Sequence, residues 1–187
     1  MSEKQTDGGR VIRGILFADV KGFSALPESK TGPYIELFLG GVAGVLERSA
    51  HSPLARNTWG DAIFLVYEGP RETGLAALEL RTWLRTQKWP EILGRDLTMR
   101  IGLHAGPVYE GIDPIIGKQC YMGRHTTRAA RIEPIADEGQ IFVSEEFAAL
   151  AASDHVREFH CEYQGKRELP KKAGLIPVYR LVAMAGD

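Results

Sequence analysis

Residues 14–24 read GILFADVKGFS, an apolar run that ends in Asp19 and continues as a small, polar turn. Residues 57–66 read NTWGDAIFLV, in which a Gly-Asp turn signal separates two strand-like runs. If the strands beside Asp19 and Asp61 are neighbours, both carboxylates project from one edge of a sheet. Two carboxylates, a free backbone carbonyl and a phosphate-bearing substrate are the ligands that hard divalent cations prefer. The two stretches therefore predict two-metal chemistry on a nucleotide.

The segment that follows Asp19 adds a candidate phosphate site. It begins at Val20, and its consecutive backbone N–H groups are able to cradle an anion. The candidates for substrate binding in this segment are Lys21, Gly22, Phe23 and Ser24.

The composition is that of a globular protein without a strong field of charge. The 187 residues are enough for one domain with a substantial core, and 44% of them are hydrophobic and 25% charged. The formal net charge of -1 argues against nucleic acid or a membrane as the partner. Cys120 and Cys161 are the only cysteines, which excludes a disulfide framework.

The domain organisation is expected to be simple. We expect a flexible N-terminus over residues 1–10, a single domain over 11–182 and a short tail over 183–187. The first ten residues lack the apolar core of a signal peptide, and no run approaches the ~20 apolar residues of a transmembrane helix. These features predict a soluble, cytoplasmic protein.

Hydrophobic periodicity predicts an α+β fold. Strands are expected over residues 11–20, 56–59, 62–68, 97–104, 107–111, 140–143, 155–168 and 177–182. Helices are expected over residues 34–50, 71–88, 126–135 and 145–152, the last of them capped by Ser144. Because strands and helices alternate without a strict βαβ rhythm, we expect a mostly antiparallel central sheet with helices packed on it.

Six short motifs, taken in order, resemble the class III nucleotide cyclase catalytic domain. They are FADVKGFS at 17–24, TWGDA at 58–62, MRIGLHAGPV at 99–108, AARIE at 129–133, GQIFVS at 139–144 and PVYRL at 177–181. The resemblance covers nearly the whole chain and implies a class III cyclase-like sandwich. It also implies a homodimer with active sites at the interface, in which one protomer supplies the metal-binding aspartates and the other stabilises the transition state.

The resemblance assigns the metal ligands. It implies that Asp19 and Asp61 hold two divalent cations, Mg²⁺ or Mn²⁺, with the carbonyl of Val20 as a further ligand. One cation would help the ribose 3′-hydroxyl to lose its proton, and the other would neutralise the triphosphate as pyrophosphate leaves.

The resemblance also assigns the residues that bind phosphate. Arg131 stands where the family has its transition-state arginine, and Thr127 replaces the family's asparagine four residues earlier. A hydroxyl on the same helix face hydrogen-bonds but does not imitate an amide. Arg100 matches an arginine that contacts the terminal phosphates, and Lys171, or Lys172, matches a phosphate-binding lysine. We expect His104 to be a buried structural histidine.

The base pocket departs from both purine patterns. Adenylate cyclases typically pair a lysine with an aspartate, and guanylate cyclases a glutamate with a cysteine, whereas this chain has Asn57 and Cys120. If Trp59, Tyr121 and Met122 point inward, they shrink the pocket, which favours a pyrimidine. A place for Trp59 in the core is the alternative.

The chain looks like the stand-alone bacterial pyrimidine cyclases of Pycsar-type antiphage defence. That resemblance implies a substrate of UTP or CTP, and UTP is favoured because Arg56, Arg124 and the Asn57 amide offer the donors and acceptor that uracil needs. An adenylate cyclase with an atypical base pocket and a catalytically silent, nucleotide-binding regulator remain alternatives. A Walker-type NTPase and a diguanylate cyclase are disfavoured because their motifs are absent.

Overall fold

The computed structural model describes residues 9–184, and within them eight strands form one sheet. The strands are β1 (Arg10–Lys21), β2 (Ala55–Trp59), β3 (Ala62–Tyr67), β4 (Thr98–Asp113), β5 (Lys118–Met122), β6 (Ile141–Ser144), β7 (Phe159–Glu168) and β8 (Leu175–Ala183). Their order is β2-β3-β1-β4-β6-β8-β7, and β5 pairs with β4 outside this path. Every pairing is antiparallel except that of β4 with β6.

The helices are α1 (Thr31–Pro33), α2 (Gly40–Arg48), α3 (Pro70–Thr86), α4 (Trp89–Leu93), α5 (Arg124–Ile132) and α6 (Glu145–Ser153). A π-helical segment, Tyr34–Leu39, joins α1 to α2, and a 3-10 turn, Glu133–Ile135, follows α5. The cap predicted for α6 is confirmed, since the Ser144 hydroxyl accepts the Phe147 N–H at 3.1 Å. Among the described residues, no helix is both long and apolar enough to cross a bilayer.

The predicted α+β architecture, a mostly antiparallel sheet with helices packed on it, is confirmed. Several local predictions differ from the structure: β5 is not among the predicted strands, the strand expected over residues 155–168 begins at Phe159, and the helix expected over residues 34–50 begins as a π-helical segment and ends at Arg48. The two strands expected over residues 97–104 and 107–111 are the single strand β4, because Gly106 and Pro107 stay in register with β1. Pro107 lies between the pairing of β6, which ends at Leu103, and that of β5, which begins at Tyr109, where a residue without an N–H is tolerated.

The helix expected over residues 71–88 is present as α3. It ends at Thr86, and Pro90 belongs to the separate helix α4, whose buried Trp89 donates its indole N–H to the Leu84 carbonyl at 3.1 Å. The flexible N-terminus expected over residues 1–10 and the tail expected over 183–187 lie mostly outside the described residues, since the structure does not describe 1–8 and 185–187.

Alternation along β1 gives the sheet two different faces. Leu16, Ala18 and Val20 point into the main core, which α2, α3 and α6 cover. Ile15 and Phe17, one residue out of phase, pack beneath α5 in a smaller cluster. The same alternation directs Asp19 to the face that carries α5.

Gly102 sets how closely the end of α5 approaches this face. A Cβ at Gly102 would lie 2.3 Å from the backbone nitrogen of Glu133 and 2.7 Å from its Cα. Only a residue without a side chain allows that approach, so Gly102 determines where Glu133 sits.

We expect Gly102→Ala to lower the free energy of unfolding by about 1–3 kcal/mol, since backbone must shift to admit the methyl group. Urea denaturation followed by circular dichroism measures the change. Gly111→Ala on the same strand is the matched control, because no atom lies within 4 Å of its added Cβ. Equal stability of the two variants would contradict the proposed contact.

Candidate active site

The pairing of β1 with β3 places the two predicted metal ligands side by side. Asp19 pairs with Ala62, the residue directly after Asp61, and the Val20 N–H donates to the Asp61 carbonyl at 3.1 Å. The turn between β2 and β3 needs Gly60, whose φ of 64° is in the left-handed region. The structure therefore brings Asp19, Val20 and Asp61 together at one edge of the sheet.

These groups suit a hard divalent cation. Asp19 and Asp61 supply carboxylate oxygens and Val20 a backbone carbonyl, while substrate phosphates and water complete the shell that Mg²⁺ or Mn²⁺ needs. Among residues 9–184, no cluster of three or more His, Cys, Asp or Glu side chains forms a metal site made by protein alone. The donor set therefore fits a cation shared with a phosphorylated substrate.

Tyr34 adds an observation at the same place. Its side chain is buried, and its hydroxyl has no hydrogen-bond partner among the described residues. Burial raises the pKa of Tyr34, and the charges of Asp61 and Asp19 raise it further. The hydroxyl is thus buried and unsatisfied within the electrostatic field of the two carboxylates.

Arg100 provides positive charge next to these carboxylates. It lies opposite Asp19 in the β1–β4 register, and its Nη2 donates to the Asp19 Oδ2 at 3.0 Å. The same nitrogen lies 2.8 Å from Oε1 of Glu133, and Lys21 Nζ lies 3.5 Å from Asp19 Oδ2. The sheet thus presents two cationic side chains beside the carboxylates.

Glu133, the last residue of the motif AARIE, is not among the predicted site residues. Its side chain is 12% exposed, and burial raises its pKa to about 7 against the opposing charge of Arg100. Its position depends on Gly102, a strand glycine over which the backbone of Glu133 passes, and no local pattern in the sequence reveals that contact.

The phosphate-binding role of the turn after β1 stays a prediction. Gly22 has a φ of 97°, and a Cβ there would lie 2.9 Å from the Asp96 carbonyl. The ring of Phe23 packs on Tyr34 at 4.6 Å between centroids, so its side chain is structural. The hydrogen bonds within the turn are donated by the backbone N–H groups of Ala25 and Leu26. The backbone N–H groups that precede them in the turn, up to that of Ser24, donate none of these bonds.

A cavity of about 670 Å³ lies between β2 and β5, and both Asn57 and Cys120 line it. The structure therefore brings the two predicted base-reading residues together. The aromatic rings of Phe17 and Tyr121 and the side chain of Met122 also line this cavity.

The placements expected for Trp59 and Arg124 need correction. Trp59 is 83% exposed, so it is not a core residue. It lines a neighbouring hollow of about 190 Å³ rather than the cavity that contains Cys120. Trp59 is exposed because it is the last residue of β2, next to the turn, where no other element of the described chain packs over the strand. Arg124 is exposed at the start of α5 and does not line the larger cavity.

Thr127 and Arg131 point away from the sheet. Ala129 and Ile132 form the buried stripe of α5, and at about 100° per residue Thr127 and Arg131 lie on the opposite side. Thr127 is exposed and donates only to the Gly123 carbonyl, at 3.5 Å. Neither side chain forms a hydrogen bond or ion pair with Asp19 or Asp61 in this structure.

Lys171 and Lys172 lie in the turn between β7 and β8. Both are exposed and left-handed, with φ values of 59° and 53°. Leu169 ties the turn together by a 2.9 Å bond to the Gly174 carbonyl, and it packs in one cluster with Ile132 at the end of α5. The fold therefore keeps both lysines at the end of α5 that carries Arg131.

His104 is confirmed as a buried structural histidine. Its Nδ1 lies 2.7 Å from the Ser144 hydroxyl, and its Nε2 lies 2.8 Å from Nδ1 of His125. Burial lowers the pKa of His104 to about 4, so the ring is neutral.

Residues 11–182 match the family described as adenylate and guanylate cyclase catalytic domain. The receptor-type guanylate cyclase gcy-23 of Caenorhabditis elegans is 26% identical over 161 residues, which are 80% of this chain and 14% of that protein. An adenylate cyclase of Mycosarcoma maydis is 27% identical over 150 residues, 71% of this chain and 6% of that protein. The chain thus spans a small part of these relatives.

Solved structures show the same fold. The guanylate cyclase domain of RhGC from Catenaria anguillulae, in complex with GTP, superposes with a TM-score of 0.78 at 19% identity, covering 94% of this chain and 98% of that one. The adenylyl cyclase CyaB from P. aeruginosa gives a TM-score of 0.77 at 18% identity, covering 94% and 96%. The family match spans residues 11–182, which are most of this chain. The chain therefore belongs to the adenylate and guanylate cyclase catalytic domain family, the class III nucleotide cyclases.

Proposed function

We propose that this chain is a metal-dependent nucleotide cyclase that acts on a pyrimidine nucleoside triphosphate, UTP in preference to CTP. The ribose 3′-oxygen attacks the α-phosphorus, the 3′-hydroxyl loses its proton, and pyrophosphate leaves as the 3′,5′-cyclic monophosphate forms. The observation that carries the proposal is the β1–β3 pairing, which places Asp19 beside the turn residue Asp61 at one sheet edge, with Arg100 hydrogen-bonded to Asp19.

The chain's own residues have distinct tasks in this reaction. Asp19, Asp61 and the Val20 carbonyl would hold two divalent cations, Mn²⁺ or Mg²⁺. Bound there, the cations lower the pKa of the 3′-hydroxyl and offset the charge of the triphosphate. Arg100 and Lys21 supply fixed positive charge to the terminal phosphates from the same edge of the sheet.

The remaining groups come from a second copy of the chain. Arg131 binds the phosphoryl oxygens through its two-pronged guanidinium, and the Thr127 hydroxyl hydrogen-bonds to the substrate. Lys171, at the same end of α5, binds the polyphosphate. Because Thr127 and Arg131 point away from the sheet that carries Asp19, a homodimer is needed to bring the two sets together.

An exposed apolar surface supports that dimer. It comprises the tip of the β2–β3 hairpin and the adjoining β4–β5 hairpin, and its members are Trp59, Tyr109, Ile112, Ile115 and Met122. Each of them is at least 49% exposed, with Trp59 at 83% and Ile115 at 91%. Several large apolar side chains exposed on neighbouring hairpins are typical of a protein interface.

The base cavity supports a pyrimidine. Asn57 supplies an amide that both donates and accepts, which suits the two carbonyls and the N–H of uracil. Cys120 lines the same cavity without the glutamate that accompanies it in guanylate cyclases. We further propose that the cyclic pyrimidine is a cytoplasmic second messenger in antiphage defence. This role rests on the resemblance of the Trp59-Gly60-Asp61 hairpin to that of the Pycsar-type cyclases. The curated relatives are adenylate and guanylate cyclases, so a purine substrate is the second candidate.

We expect purified protein with Mn²⁺ to convert UTP most efficiently, CTP next, and ATP and GTP least, as measured by mass spectrometry of separate incubations. Asp61→Asn should lower the rate by at least about 100-fold, since several kcal/mol of charge stabilisation are lost. Asp154→Asn, an exposed aspartate at the end of α6, is the control. Cyclic AMP or cyclic GMP as the main product would contradict the pyrimidine assignment, and no product at all would favour a nucleotide-binding regulator.

Complementation tests the shared active site. Asp61→Asn and Arg131→Ala chains should each be inactive, yet co-expression should restore about a quarter of the wild-type activity by random pairing in a twofold dimer. The reason is that a mixed dimer retains one site with both Asp61 and Arg131 intact. If co-expressed chains are no more active than the separate variants, both groups act within one chain and the dimer proposal is wrong.

A further inference from the structure

Arg100 stands between two carboxylates and lies within ion-pair distance of both. It donates to Oδ2 of Asp19 at 3.0 Å. Its Nη2 is also 2.8 Å from Oε1 of Glu133, but that contact lacks hydrogen-bond geometry, and this buried oxygen has no partner among the described residues. Arg100 Nε is likewise buried and unpartnered within the described part of the chain. A small movement of the guanidinium would exchange one carboxylate for the other.

The fold holds Glu133 at this distance. The 3-10 turn that begins with Glu133 rests on Gly102 of β4, so the backbone of Glu133 lies directly over the sheet. Its side chain is 12% exposed and that of Arg100 is 19% exposed. A carboxylate buried to this extent needs a cation, and among residues 9–184 Arg100 is the one within ion-pair distance.

A divalent cation on Asp19 changes the balance between the two carboxylates. Arg100 and the cation carry like charge and would both bind the Asp19 carboxylate, so they would repel each other. Lys21, the other cation at Asp19, is 36% exposed and is able to turn into solvent. Arg100 is mostly buried and has to move to another acceptor within the protein.

On this basis we propose that Glu133 is a positioning residue, which accepts Arg100 from Asp19 when a divalent cation binds and so sets the affinity of the site for that cation. This inference rests on the proposed metal role of Asp19. With Glu133 in place, the departing guanidinium keeps an ionic partner and stays beside the triphosphate site. Without the carboxylate, Arg100 keeps Asp19 as its ionic partner and competes with the cation.

Mn²⁺ binding without nucleotide tests the inference, with free Mn²⁺ measured by electron paramagnetic resonance. We expect Glu133→Gln to raise the dissociation constant roughly 10-fold, the scale seen when a partner of a metal ligand is changed. Arg100→Met should lower the dissociation constant. Glu138→Gln, which removes the same charge from an exposed residue that contacts Thr98, is the control and should leave it unchanged.

The double variant separates a movement of Arg100 from a simple field effect. In the Arg100→Met background, Glu133→Gln should change the dissociation constant by less than about twofold, because the two residues act as a unit. An equal effect with and without Arg100, or no effect of Glu133→Gln, overturns the inference while leaving the metal site in place. If Asp19→Asn binds Mn²⁺ as the unsubstituted protein does, or if neither binds it even with a non-hydrolysable UTP analogue present, the metal assignment itself is wrong and the inference falls with it.

Discussion

The site depends on the register of β1 between its two neighbours. Residues of β1 alternate between the main core and the face under α5, so the position of Asp19 follows from the packing of Leu16, Ala18 and Val20. A slip of one residue would turn Asp19 into the main core and move Leu16, Ala18 and Val20 to the face under α5. The cost of burying an unpaired carboxylate disfavours that register. The same register sets Arg100 opposite Asp19 and the β2–β3 turn beside it. Hydrophobic packing thus positions the charged groups.

Charge balance is the second constraint on the site. Asp19 and Asp61 would repel each other at a sheet edge, and Arg100 and Lys21 offset that repulsion in the structure described here. Buried groups nearby, the Tyr34 hydroxyl and one oxygen of Glu133, lack hydrogen-bond partners among residues 9–184. Such unsatisfied atoms are costly in a folded protein, so they mark a place that is completed by further groups. A triphosphate with divalent cations has the chemistry to do so.

Local sequence signals predicted the parts of the site that local structure builds. The apolar run into Asp19, the Gly-Asp turn at Asp61 and the Ser144 cap all depend on short-range preferences, and the structure has each of them. The adjacency of Asn57 and Cys120 followed from family resemblance rather than periodicity. Both line one cavity, although their base-reading role stays a prediction.

The parts that sequence reasoning missed depend on long-range packing. Glu133 gains its place only because a distant strand has a glycine at position 102, which no local pattern reveals. Hydrophobicity alone predicts that Trp59 lies in a pocket wall or in the core, because it does not distinguish a core residue from an interface residue. In the structure Trp59 is exposed. The break expected near Pro107 ignored that β1 continues its pairing past that point.

The most direct test of the account is a crystal structure with Mn²⁺ and a UTP analogue whose α,β-bridging oxygen is replaced, using the anomalous signal of manganese. The account predicts two Mn²⁺ peaks about 3.5–4 Å apart, both bound by Asp19 and Asp61, with Arg131 of a second copy facing the α-phosphate. Manganese bound elsewhere, or a nucleotide held without contact to these aspartates, would contradict it.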